Sequence, residues 1–366
     1  MSDSIFSPAF GNRPSTLVGR SLTLDAILGG LDSEPGSKER STLVLGQRGS
    51  GKTVLLWELA DRAREKGFVV ASPTVASDDM PNRIIEKIQD DGERYIKGGR
   101  GKLVGGTVGA LGFSVGLQFS SEIQETKSFG YKLLKLSERL EQQNRGILVL
   151  VDEVQGSSPE LKQLISAYLE LVGEGRNAAI VFAGLPGAIS SVLNDRVLTF
   201  LNRAHKVVLD PLPEGDIDAY FTHAFAAAGV QIAPELRREA ARATKGSPYM
   251  LQLVGHNIVQ YAGESGAVDE RVLQEALESS RVSFERDVCE TTLAALSGKD
   301  VAFLRAMAAD EIESNMTDIA ERMGVGADYA QKYRKRLIDT GIITATRRGY
   351  VAFAVPYLAD HLRNNA

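Results

Sequence analysis

Cysteine, tryptophan and histidine are scarce in this chain: one Cys289, one Trp57 and four histidines stand among 366 residues. A single thiol excludes an internal disulfide framework and suits a reducing compartment, so residence in the cytoplasm is expected. His205, His223, His256 and His361 are too scattered to suggest a metal cluster. No Ser-His-Asp or paired-acid hydrolase pattern stands out either. No apolar run reaches the roughly 20 residues a membrane-spanning helix requires. The opening MSDSIFSPAFGNRPS also lacks the basic start and apolar stretch of a signal peptide. No membrane partner is therefore expected. An excess of positive charge is missing too: the net charge is −5, so any contact with nucleic acid has to come from a local patch.

What is present is enough apolar material for two or three packed domains, with 43% hydrophobic and 24% charged residues. From about residue 13 to 210, strands and helices alternate. STLVL, GFVVASPT, RGILVLVDEVQ, NAAIVFAGLPG and HKVVLDPLP read as strands. TVLLWELADRAREKG, DDMPNRIIEKIQDDGERYI, SFGYKLLKLSERLEQQ and SPELKQLISAYLELVGEG read as helices, with apolar residues at helical spacing. The strands are apolar without alternation, as expected of a parallel sheet buried on both faces, and the fold class is α/β. From about residue 212 the pattern becomes purely helical. Its last long segment, DERVLQEALESSRVSFERDVCETTLAAL, reads as one helix. The final stretch, GIITATRRGYVAFAV, reads as a hairpin. One segment resists the scheme: residues 98–121, GGRGKLVGGTVGALGFSVGLQFSS, a glycine-rich insertion expected to form a hairpin.

Two motifs carry chemistry. GQRGSGKT at 46–53 follows an apolar strand and opens a helix. Gly46, Gly49 and Gly51 let the backbone turn tightly, and the loop N–H groups of Gln47, Arg48 and Ser50 can then point inward at phosphate oxygens. Lys52 adds a positive charge, and the Thr53 hydroxyl suits Mg²⁺. The second motif is ILVLVDEVQ at 147–155. A buried strand delivering Asp152 and Glu153 at its carboxyl end suits a carboxylate that holds Mg²⁺, Asp152, and one that orients a water, Glu153.

With these two motifs the chain resembles the AAA+ ATPases, whose fold is a P-loop NTPase sheet with a helical lid. ATP and Mg²⁺ are the cofactors this implies. STLVGR, at 15–20, resembles the family's N-terminal box, so Val18 and Gly19 are expected to contact adenine through their backbone. LTFLNRAHKVVLDPLP resembles the segment that carries the arginine finger; Arg203 is the candidate, with Arg196 in reserve. A finger acts on a neighbouring subunit, so self-association is implied. Two departures are visible. Gly184, Leu185 and Pro186 stand where the family places a polar sensor, and Tyr249 in KGSPYML stands where it places an arginine. Slow or partner-stimulated hydrolysis is expected from both.

The resemblance continues to the C-terminus. DIAERMGV, with Val325 and Gly326 at the turn, ADYAQKYRKRLIDTG and the hairpin look like a winged helix. Lys332, Arg334, Lys335 and Arg336 on its recognition helix, and Arg347 and Arg348 on its wing, are the expected DNA contacts. The order core, lid, winged helix looks like the replication-initiator ATPases of the origin-recognition type. The core also resembles ExeA-like and transposition-associated ATPases. The expected division is a tail over 1–13, an ATPase core over 14–210 that contains the 98–121 insertion, a lid over 211–290 and a winged helix over 291–366. The implied function is nucleotide-controlled assembly on DNA. The first alternative is a nucleotide switch that acts on a protein partner without DNA; the second is an ATPase motor or assembly factor whose glycine-rich insertion grips a substrate.

Overall fold

The computed structural model describes residues 5–8, 13, 16–75, 79–96, 113–195 and 198–365. The chain forms two compact units. One comprises Leu22–Leu45 and Lys52–Val208; the other comprises Met1–Ser21, Gly46–Gly51 and Leu209–Ala366.

The first unit contains, in chain order, α1 (Ser21–Gly30), β1 (Ser41–Leu45), α2 (Lys52–Glu65), β2 (Phe68–Val75) and α3 (Met80–Ile96). Next come the short pair β3 (Phe113–Val115) and β4 (Gln118–Phe119), followed by α4 (Ser121–Thr126) and α5 (Phe129–Glu141). β5 (Gly146–Val154), α6 (Pro159–Gly173), β6 (Ala178–Gly184), α7 (Pro186–Leu193) and β7 (His205–Val208) complete it. The five long strands form one parallel sheet in the order β2-β5-β6-β1-β7. β1, β5 and β6 are buried almost throughout, as their unbroken apolar runs require. The helices cover them with single faces. Ile84, Ile85 and Ile88 of α3, and Leu133, Leu136 and Leu140 of α5, lie in the same cluster as Val149 and Val151. Helix starts are locally encoded. Ser128 accepts from the Tyr131 N–H at 3.3 Å and Ser158 from the Leu161 N–H at 3.1 Å, the latter with Pro159 in the first turn.

The second half of the glycine-rich insertion is a hairpin; residues 98–112 lie outside the described residues. Phe113 and Phe119 stack at 4.8 Å, Leu117 is fully buried, and the Gln89 amide donates to the Leu117 carbonyl at 2.7 Å. Gly92 of α3 makes room: a Cβ there would lie 2.5 Å from Leu117 Cδ1. This part of the segment is core, not a free loop.

The second unit contains α8 (Glu214–Ala227), β8 (Gln231–Ile232), α9 (Pro234–Ala243), α10 (Pro248–Ala262), β9 (Ala267–Val268), α11 (Glu270–Phe284) and α12 (Thr291–Ala294). It ends in α13 (Gly298–Ala308), β10 (Ser314–Asn315), α14 (Met316–Arg322), α15 (Ala327–Asp339), β11 (Ile343–Arg347), β12 (Tyr350–Phe353) and α16 (Leu358–Asn364). Helices α13, α14 and α15 and a three-stranded sheet, β10-β12-β11, with β10 between α13 and α14 in the chain, make the winged-helix arrangement. One hydrophobic cluster runs from Phe6 through Phe221, Phe284 and Phe303 to Leu362.

Three expectations need correction. The region after residue 212 is not purely helical, because β8 and β9 pair in parallel; two residues each are too short to leave an alternating pattern. The long helix expected over 269–296 is broken by a π-helical turn at Glu285–Glu290. Such an inserted residue keeps the helical composition and so leaves no sequence mark. The strand read through GLPG ends at Gly184, and Pro186 opens α7.

Candidate nucleotide-binding site

The loop between β1 and α2 is shaped by its glycines. Gly49 and Gly51 have φ of 72° and 86°, a region that L side chains avoid. The Ser50 N–H bonds the Gln47 carbonyl at 3.3 Å, closing the turn. Close neighbours reinforce the choice of residue. A Cβ on Gly46 would collide with the Ser50 side chain and meet Leu209, and one on Gly49 would come 3.3 Å from Tyr249 Cβ. α2 begins at Lys52, so the positive end of its dipole lies at the loop.

β5 delivers the acids. Asp152 is 4% exposed, and its Oδ2 accepts from the Thr53 hydroxyl at 2.6 Å. Its Oδ1 accepts from the Glu153 N–H at 2.8 Å. Val151 pairs with Phe182 and Val154 with Gly184, so Asp152 and Glu153 together oppose Ala183 alone. This is a bulge, and Glu153 sits in it with a left-handed φ of 51°. A bulge re-aims a side chain, and here it leaves Glu153 exposed beside a buried Asp152. Non-glycine residues in this region cost roughly 1–3 kcal/mol.

These residues fit a triphosphate with a hard cation. The Ser50 hydroxyl is buried without a partner, a Cβ on Gly46 would collide with the Ser50 side chain, and Thr53 with Asp152 is an all-oxygen donor set. Among the described residues no group of three or more His, Cys, Asp or Glu side chains could hold a metal.

The departures from the family pattern have structural reasons. A Cβ on Gly184 would lie 2.8 Å from the Val154 carbonyl and 3.2 Å from Ile189 Cδ1, so a polar sensor has no space. Tyr249 donates to Asp287 Oδ2 at 2.8 Å. Burial and that carboxylate push its hydroxyl pKa far upward. Arg286 holds the Asp287 carboxyl below the usual range. The nearby Arg242 lies 3.7 Å from Glu214, and Lys245 pairs with Asp360 at 3.2 Å and covers the Tyr357 ring. Each thus lies beside an acidic side chain.

Val18 and Gly19 line a cavity of about 610 Å³ together with Ile5, Asp216, Tyr220 and His223. Gly19 has φ 62°, and a Cβ there would sit 3.1 Å from both Asp216 and Leu212. Arg20 is buried and donates to the Asp210 carbonyl at 2.5 Å. Arg203 is exposed at the end of a 3₁₀ turn, with no ion pair among the described residues. Arg196 lies outside the described residues.

The expected DNA contacts divide into three sets. Lys332, Lys335 and Arg348 are exposed. Arg336 instead binds the buried Asp300, with Nε at 2.9 Å, and reaches Ser297 at 3.2 Å. Arg347 binds Glu313 through Nε at 2.9 Å and covers the Tyr350 ring. Arg334 is half-buried, with Nε lacking a partner. Sequence reasoning missed Asp300, Glu313 and Tyr329; the last is exposed and shares a 2.8 Å hydroxyl contact with Tyr333 on α15.

Comparison with known proteins fits this geometry. Residues 16–182 match the AAA ATPase domain, and residues 286–362 match a domain of unknown function. No curated protein matches significantly. Among solved structures, a Walker-type ATPase of Pyrococcus abyssi superposes with a TM-score of 0.68 at 17% identity, over 96% of this chain and 97% of that one. The ORC2 protein of Aeropyrum pernix, in its ADPNP and ADP complexes, gives 0.64 at 16%, over 98% and 95%. Cdc6p of Pyrobaculum aerophilum gives 0.51 at 18%, over 100% and 97%. Residues 16–182 are similar to the AAA ATPase domain, a little under half of the chain. The fold of the chain is shared with these three solved structures. No helix among the described residues is long and apolar enough to cross a membrane.

Proposed function

We propose that this chain is a cytoplasmic ATPase that binds ATP with Mg²⁺ at residues 46–53 and uses nucleotide state to control its assembly on DNA. One observation carries the nucleotide reading. The Thr53 hydroxyl and the Asp152 carboxylate, from elements 99 positions apart, meet at 2.6 Å beside the phosphate loop, with Glu153 held in a bulge next to them. Loop N–H groups and Lys52 bind phosphate oxygens, and Thr53 and Asp152 hold the cation. Bound Mg²⁺ neutralises charge on the phosphates. Glu153 orients water. Val18 and Gly19 border the base, and an exposed Arg203 reaches the site of a neighbouring copy. Hydrolysis is slow, because Gly184 and Tyr249 supply no cation or amide to read the terminal phosphate. The tail, core, lid and winged-helix division at residues 13, 210 and 290 accompanies this reading, with Lys332, Arg334, Lys335 and Arg348 as the DNA contacts. Arg336 and Arg347 contribute only if they leave their acids.

That last condition favours a second reading. The stretch from 297 to 366 holds ten basic and nine acidic residues, and two of the best-placed arginines are already paired. A winged helix so neutralised suits a protein partner controlled by nucleotide. Fluorescence anisotropy of labelled duplex DNA, with ATP, with ADP and without nucleotide, over a salt series, decides between them. Salt-sensitive binding that changes with nucleotide supports the DNA reading. Tight nucleotide binding with no DNA binding in any state moves the function to the protein partner.

A further inference from the structure

The phosphate loop touches more than its own strand and helix. On one side Gly49 faces Tyr249 Cβ and Gly51 faces Pro248 Cγ. On the other, the side-chain amide of Gln47 lies flat against Gly341, the residue that ends α15, the recognition helix of the winged helix. A Cβ on Gly341 would fall 2.6 Å from Gln47 Oε1 and 2.8 Å from Cδ, so the amide at the end of that flexible side chain would have to move. Gly341 is thus constrained twice. Its φ of 71° closes the helix, with its N–H on the Ile338 carbonyl at 2.8 Å and the Ile342 N–H on Leu337 at 2.9 Å. Any side chain at 341 would in addition have to displace the Gln47 amide.

A second glycine in the same domain isolates the effect. Gly324 ends α14 with φ 63° and the same bonding pattern, Gly324 to Glu321 at 2.9 Å and Val325 to Ala320 at 3.0 Å. Nothing lies within 4 Å of a Cβ there. The two glycines share backbone geometry and differ in what lies against them.

We propose that the Gln47–Gly341 contact couples the phosphate loop to the recognition helix, so that nucleotide affinity and the seating of the winged helix control each other. This rests on the nucleotide-binding reading above. Gln47 belongs to the loop whose N–H groups receive phosphate, so a ligand that sets the loop backbone also sets where that amide can sit. Binding couplings are reciprocal: whatever displaces Gly341 must change nucleotide affinity by the factor with which nucleotide shifts the helix. A partner that grips α15 would therefore be felt at the phosphate loop without touching it.

The test uses the full chain. A fluorescent ADP analogue with Mg²⁺ is titrated into the wild type, Gly341→Ala and Gly324→Ala. Amide hydrogen exchange over residues 337–345 is followed in the wild type with and without ADP. Both variants carry the same left-handed strain, and only the first meets Gln47. The expected result is an affinity for Gly341→Ala at least fivefold different from that of Gly324→Ala, together with exchange at 337–345 that changes with nucleotide. Should Gly341→Ala fail to fold, Gly341→Asn tolerates the left-handed φ and still meets the amide. Equal affinities in the two variants, or exchange indifferent to nucleotide, overturns the coupling alone. A wild type that binds no nucleotide overturns the nucleotide-binding reading and the coupling with it.

Discussion

The phosphate loop with its acids and the winged helix with its cations are built in opposite ways. At the first, polar groups are held ready. The Ser50 hydroxyl is buried without a partner, and Glu153 is turned outward at a backbone cost. At the second, charges that a ligand would need are already engaged, Arg336 by Asp300 and Arg347 by Glu313. The difference teaches that a basic run in a sequence counts charges without counting the acids that meet them. A buried polar atom left without a partner says more about a ligand than an exposed cation does, because it costs free energy until something binds.

Changing the acids and the loop cation should have the largest effects. Glu153→Gln is expected to lower turnover by about 10²–10⁴-fold, the usual share of a general base, with nucleotide affinity unchanged within twofold. Steady-state phosphate release beside a nucleotide titration checks this, and preserved turnover removes Glu153 from its role. Lys52→Ala deletes one charge-assisted contact worth about 1.5–3 kcal/mol, so nucleotide affinity should weaken by about 10–100-fold, read by titration with a fluorescent nucleotide.

The winged-helix half of the comparison is sharpened by stability. Arg336→Ala leaves the buried Asp300 with only its Ser297 partners. Because Arg336 is half exposed, the loss is expected at about 1–2 kcal/mol in denaturant unfolding rather than at the full value for a buried pair. Lys332→Ala and Lys335→Ala should each stay within about 0.5 kcal/mol of wild type. If those two meet phosphates, the double variant should reduce the slope of log affinity against log salt by about 2. An unchanged slope would assign the helix to a protein partner.

The smallest effect concerns acid. Arg322 holds the Asp310 carboxyl below its usual range, opposed by a weaker burial effect. A carboxylate with a depressed folded value stabilises the fold above its unfolded value, near 3.9, and that stability is lost as the pH falls through the folded value. Arg322→Leu should therefore flatten the fall in stability below about pH 4 by no more than about 1 kcal/mol, because the pair is partly solvated. A thermal-denaturation series across pH 2–6 would measure it.

Much of the fold was legible because its signals are local. The sheet strands are runs of apolar residues, the helices carry apolar faces at helical spacing, and Ser128, Ser158, Ser247 and Ser297 cap the helices that follow them. What stayed hidden lacked a period. β8 and β9 are two residues long, the π-helical turn has ordinary helical composition, and α7 follows a strand that runs directly into its Pro186.

By itself the sequence determined the phosphate loop, since glycine at 49 and 51 is what permits that backbone, and it determined that Asp152 ends a buried strand. Only the tertiary structure decided that Thr53 and Asp152 meet, that Glu153 stands in a bulge, that Gly184 leaves no room for a sensor, that Arg336 belongs to Asp300, and that Gln47 rests on Gly341. Each of these depends on distances between residues far apart in the chain. Periodicity and composition report only what a residue's near neighbours require of it.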